Sequence, residues 1–150
     1  MTEAIRLSLE KMEAGEGGPF GAVIEKDGKI VGRGWNRVTS SNDPTAHAEV
    51  MAIRDACRNL GTFNLSGCEI YASCEPCPMC LSAIYWARLD KLYFAATRAD
   101  AADAGFDDEL LYQEVSKPWK NRTLPMEQVL SEEARAAFAQ WKSKADRIAY

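Results

Sequence analysis

Thr45-Ala46-His47-Ala48-Glu49-Val50 and Ser73-Cys74-Glu75-Pro76-Cys77-Pro78-Met79-Cys80 are the two stretches on which the reading of this 150-residue chain turns. Both carry groups that hold soft divalent metals. Zinc takes imidazole nitrogen and thiolate sulfur in a tetrahedron, and a catalytic zinc keeps three protein ligands and leaves the fourth position to water. His47, Cys74 and Cys77 are the candidate ligands, for one Zn2+ per chain. An ion held this way lowers the pKa of its water from about 16 to about 7. Glu49, two residues after the histidine, has the carboxylate to carry the proton that such a water gives up.

For both stretches to reach one ion, their side chains must converge. From Pro44 the spacing of Val50, Ile53, Cys57 and Leu60 predicts a helix, with Gly61 as its stop. His47 and Glu49 then fall in its first turn. Residues i and i+2 do not share a lateral helix face, but side chains lean toward the N-terminus and can meet an ion just beyond it. Cys74 and Cys77 follow the apolar strand candidate Ile70–Ala72 and open a second helix-compatible run, Met79–Ala87. Two positive helix ends would favour thiolate and hydroxide. Cys80 reads as a buried thiol, because in a helical segment it lies about 9 Å along the axis from Cys74.

A lone histidine is usually an ordinary core or surface residue, and a single Cys-x-x-Cys is as often a redox pair as a metal site. The combination is more specific. His47 is the one histidine of the chain, Glu49 stands at the required offset, and His-x-Glu with Pro-Cys-x-x-Cys is the pattern of zinc-dependent deaminases. A zinc-stabilised domain without catalysis is the bland rival. Cys57 and Cys68 read as small buried hydrophobes.

Composition narrows the class. A chain of 150 residues fits one domain with its own core. Five cysteines, no signal-peptide pattern in Met1–Arg6 and no membrane-length apolar run predict a reducing, cytoplasmic setting. The net charge of -4 argues against nucleic acid, whose binders carry a basic footprint. Lys142, Lys144 and Arg147 alternate with small and acidic residues and read as a solvated helix face.

Ile5, Leu9 and Met12 predict a first amphipathic helix that faces the core. A hairpin follows, Phe20–Lys26 and Lys29–Gly34, joined by Asp27-Gly28. With strands near Ile70 and over Lys91–Ala96, the order is α, β, β, α, β, α, β, a mixed sheet with helices on its faces. Ala134, Phe138, Trp141 and Ala145 mark a terminal helix.

Gly18-Pro19-Phe20-Gly21-Ala22-Val23-Ile24, the run Thr39–Val50, the run Ser73–Arg88 and Ala104-Gly105-Phe106-Asp107-Asp108 together resemble the guanine deaminase family of the cytidine-deaminase-like zinc deaminases. The likeness spans nearly the whole chain. It implies a three-layer α/β/α fold with a central five-stranded mixed sheet, the fifth strand falling in Thr123–Leu130, and hydrolysis of guanine to xanthine and ammonia. It also implies that His47, Cys74 and Cys77 hold zinc, that Glu49 shuttles the proton and that the Ala48 N–H stabilises charge on the substrate. On the same resemblance Asn36 would contact the base, Asp108 would read its N1 and amino edge, and Tyr150 would complete the pocket. By residue type alone Asn36 could be a turn residue and Asp108 part of a solvated acidic run, while Trp86 and Phe106 could stack on a purine or belong to the core. The resemblance further implies a homodimer that swaps its C-terminal segments. Guanosine deaminase and tRNA adenosine deaminase are the neighbouring alternatives.

Overall fold

The computed structural model describes residues 1–149. Two strands, β1 (Gly21–Lys26) and β2 (Lys29–Trp35), form the predicted hairpin, and Asp27 and Gly28 both take positive φ, 51° and 77°, as a tight primed turn demands. β3 (Glu69–Cys74) pairs antiparallel with β1, and β4 (Lys91–Ala96) pairs parallel with β3, giving the order β2-β1-β3-β4. A parallel neighbour needs a crossover. Helix α4 (Pro78–Trp86) supplies it.

The sheet has four strands among the described residues, which corrects the expected five. The segment 123–130 is not a strand: Leu124, Val129 and Leu130 are all about 70% exposed, and Pro125 has no N–H to give a ladder. A run of apolar residues becomes a strand only where an edge and a core receive it.

Alternation along β1 and β3 builds layers on both faces. Ala22, Ile24 and Ile70 enter the larger core with α3 (Ala48–Leu60) and Ile84 of α4, whereas Val23 and Tyr71 point to the opposite face, where α1 (Thr2–Glu13) lies. The face that α1 buries is Ala4, Leu7 and Ser8. Ile5, Leu9 and Met12 are exposed, so the expected inner face is in fact the outer one. Small residues let this helix sit close to the sheet, and close approach outweighs the apolar periodicity.

Helix α3 begins at Ala48, not at Pro44, and His47 is its N-cap. Its inner face is a line of alanines, Ala48, Ala52 and Ala56, seated on Gly32 and Gly34 of β2. A Cβ on Gly34 would lie 2.1 Å from the Ala48 carbonyl oxygen and 2.3 Å from the Ala52 nitrogen, and one on Gly32 would lie 2.6 Å from the Ala52 oxygen. This glycine–alanine seam fixes where the start of α3 sits. Gly61 closes the helix in the left-handed region, φ 66°.

Around this frame lie α2 (Val38–Ser41), α5 (Arg98–Asp103), α6 (Glu109–Ser116), a 3-10 turn at Trp119–Asn121 and α7 (Ser131–Ser143). Thr97 and Asp100 form a capping box at the start of α5. Helix α7 ends before Ala145, and its Phe138 and Trp141 are exposed. No helix among the described residues is long and apolar enough to cross a membrane.

Candidate active site

The seam under α3 delivers His47 to the C-terminal end of β3, where the chain turns into α4. Cys77 is the N-cap of that helix, Pro78 occupies its first turn, and Cys80 stands one turn along. His47 Nδ1 lies 3.7 Å from Cys77 Sγ and 3.5 Å from Cys80 Sγ, and the three donor atoms all fall within 4.8 Å of one another. Bonds of 2.0–2.3 Å to a tetrahedral zinc put its donors roughly 3.5 to 4 Å apart. The cluster fits that ion.

Cys80 therefore takes the place expected of Cys74, a correction to the ligand set. Cys74 ends β3 with its thiol 3.6 Å from the Thr97 carbonyl oxygen, and burial pushes the thiol up to about 11. The helix does not start until Pro78, so Cys74 stays on the strand, lining the cavity outside the donor cluster, while Cys77 and Cys80 share one helix start. The motif held the signal: Pro-Cys-x-x-Cys begins at Pro76, so its cysteines are Cys77 and Cys80.

Within the cluster the Cys77 thiol is held down at about 4, first by the Cys80 thiol and then by His47. The Cys80 thiol is pushed up, by Cys77 and by burial, and the His47 imidazole is pushed up by Cys77. Cys77 is thus the more acidic of the two thiols. Glu49, the second residue of α3, is buried, and burial raises its carboxyl while the Cys80 thiol pulls the other way. A carboxyl so placed can both take and give a proton.

His47, Glu49 and Cys77 open into a cavity of about 560 Å³ that also receives Asn36, Phe106 and Asp108. Asn36 is buried, and its Oδ1 accepts the N–H groups of Gly18 at 3.1 Å and Val38 at 3.2 Å. That fixes the amide and leaves its NH2 end to a ligand. Phe106 meets Phe20 edge to face, centroids 4.9 Å apart, as one wall. Asp108 stands at the start of α6, where burial raises its carboxyl and Arg98 opposes the rise.

Ala48 is fully buried as the first residue of α3, where the helix makes no use of the N–H. Trp86 does not line this cavity: it is 66% exposed and lines a separate groove with Ser82, Tyr85 and Arg88. Eight helical steps carry it about 12 Å from the metal end of α4. Tyr150 lies outside the described residues. Arg98 and Glu75 also line the cavity, although nothing in their local sequence marks them.

A histidine and two cysteines at two helix starts, beside a buried glutamate on a layered α/β frame, define a zinc-dependent deaminase domain. The model of the cytidine and deoxycytidylate deaminase zinc-binding region matches residues 1–96, and the chain belongs to that family. It is 53% identical to guanine deaminase of Bacillus subtilis (strain 168) over 150 residues, 100% of this chain and 96% of the relative. The X-ray structure of guanine deaminase from Bacillus subtilis matches with a TM-score of 0.96 at 54% identity, covering 99% of this chain and 95% of that one. The tRNA-specific adenosine deaminase of Aquifex aeolicus (strain VF5) is 46% identical over 93 residues, 62% of this chain and 61% of the relative.

Proposed function

We propose that residues 1–150 form one deaminase unit that hydrolyses guanine to xanthine and ammonia. The observation that carries the reading is the meeting of a base-reading pair, Asn36 and Asp108, with Glu49 and the His47, Cys77, Cys80 cluster in one cavity. Support also comes from the extent of likeness. The match to the Bacillus subtilis guanine deaminase runs through the segment that holds Asp108, whereas the match to the tRNA-specific enzyme covers 62% of the chain.

His47, Cys77 and Cys80 would hold the zinc, which supplies the Lewis acidity that makes water a nucleophile near neutral pH. The Asp108 carboxylate accepts N–H groups from the N1 and amino edge of the base, two bonds side by side. The Asn36 NH2 donates to an acceptor on the ring, held in that sense by the Gly18 and Val38 amides. Glu49 takes the proton released by the attacking water and delivers it to the exocyclic nitrogen, so that ammonia leaves. Phe106 and Phe20 wall the base from solvent. The Ala48 N–H offers a dipole to developing negative charge.

The free base is favoured over a nucleic acid by the net charge of -4. Five unpaired cysteines fit a reducing, cytoplasmic setting. A homodimer with exchanged C-terminal segments is part of the same reading, since Leu124, Val129, Leu130, Phe138 and Ile148 expose apolar side chains that need a partner surface. Ammonia release from guanine, guanosine, adenine and cytosine, assayed in parallel with the zinc-loaded protein, tests the proposal. Release from guanine alone supports it. Release chiefly from guanosine makes the chain a nucleoside deaminase, and silence on all four overturns the catalytic reading.

A further inference from the structure

Arg98 opens α5 at the rim of the cavity, held both through its main chain and through its guanidinium. Its main-chain N–H donates to Glu75 Oε2 at 3.1 Å, and the Glu75 N–H donates to the Ala96 carbonyl at 2.9 Å, so the turn into α5 is strapped to the loop that leads to Cys77. The guanidinium carbon lies 3.9 Å from the centroid of the Tyr112 ring, and the Tyr112 hydroxyl donates to the Pro76 carbonyl at 3.1 Å. One face of the guanidinium thus rests on an aromatic ring that is itself anchored to the residue before Cys77. Its edge turns to two carboxylates: Nη2 bonds Glu109, and Nε stands 3.7 Å from Asp108 Oδ1.

That last distance is informative. At 3.7 Å the contact is an ion pair and not a hydrogen bond. A cation there offsets the cost of burying the carboxylate without occupying its lone pairs, so Asp108 keeps its capacity to accept from a ligand. Among the described residues Arg98 is the one cation at ion-pair distance from Asp108. We propose that Arg98 is a positioning residue for purine selection: stacked on Tyr112 and strapped to Glu75, it holds Asp108 as a charged, open acceptor in register with the loop that carries Cys77. The inference rests on the reading of Asp108 as the group that binds the base edge.

A double-mutant cycle of Arg98→Met and Asp108→Asn, with kcat, KM and zinc per chain measured for each, tests it. Arg98→Met is expected to raise KM for guanine about tenfold, the scale of one charge-assisted contact, with kcat within about twofold and zinc unchanged. Affinity for hypoxanthine, which keeps N1–H and has no amine to lose, should fall as well, by a smaller factor because it offers Asp108 one donor in place of two. Arg98→Lys should recover part of the loss, because it restores charge without the planar stack. In the Asp108→Asn background, Arg98→Met should change nothing further. Equal effects of Arg98→Met in both backgrounds, loss of zinc, or an unchanged KM would each overturn the role of Arg98. A normal KM in Asp108→Asn alone would instead overturn the reading of Asp108, and this proposal with it. Arg98→Gln, which keeps a polar stem over Tyr112, carries the same test if the methionine variant folds poorly.

Discussion

Cys74 and Cys80 are both buried thiols within a single motif, yet only Cys80 shares a helix start with Cys77. Their serine variants should therefore part company. Cys80→Ser is expected to lose zinc on dialysis, and Cys74→Ser to keep about one ion per chain, as measured by atomic emission on the purified protein. Glu49→Gln should retain the metal and lower kcat on guanine by about 10²-fold or more, the usual worth of a positioned proton carrier. Retained turnover in that variant would take Glu49 out of the chemistry. His47 and Glu49 were legible in the sequence because residue type and a two-residue offset suffice to mark them. The cysteine pair was harder, since the choice between Cys74 and Cys80 depends on where β3 yields to α4. That border is set by pairing with β1 and β4, which local spacing does not encode.

The hairpin, the last two strands and the helices after each metal motif follow from local cues: Asp27-Gly28, Pro78, Gly61. What local cues did not reveal is which surface each helix buries. The periodicity of Ile5, Leu9 and Met12 suggested one face of α1, and the tight fit of Ala4 and Leu7 on the sheet selected another. Likewise α6, whose N-cap is Asp108, spans only Glu109–Ser116, too short for its apolar residues to mark it as a helix. Two predictions belong to this scale. Gly34→Ala forces a methyl into the backbone of α3 and should cost about 1–3 kcal/mol as overpacking. Because the same helix start bears His47, zinc retention should fall together with the thermal midpoint. Glu3 ties α1 to itself through Arg6 and to β2 through Arg33, and these partners, Arg6 foremost, hold its carboxyl down at about 2, against an ordinary value of 4.5. A carboxylate held low stabilises the fold above its ordinary value, and that stability drains away as pH falls toward about 2. Glu3→Gln should accordingly flatten the acid side of a plot of thermal midpoint against pH, with little change below the folded value.

For the molecule as a whole, the contrast is between the covered inner strands β1 and β3 and a C-terminal third whose apolar side chains face outward. If that third completes a partner's cavity, truncation after Trp141 should abolish the dimer in sedimentation and cut kcat/KM on guanine by about 10²-fold, the cost of a misplaced pocket wall. A truncated protein that stays dimeric and active would refute segment exchange. Residue spacing alone does not mark such an arrangement, because it shows the apolar residues of 123–130 and α7 but not that no core within the chain receives them. The glycine–alanine seam has a different kind of consequence. Gly32 and Gly34 meet α3 with backbone against backbone, so an added carbon at either position displaces the helix start that carries His47. Redesign toward other aminated heterocycles therefore belongs in α5 and α6, which line the cavity away from that seam.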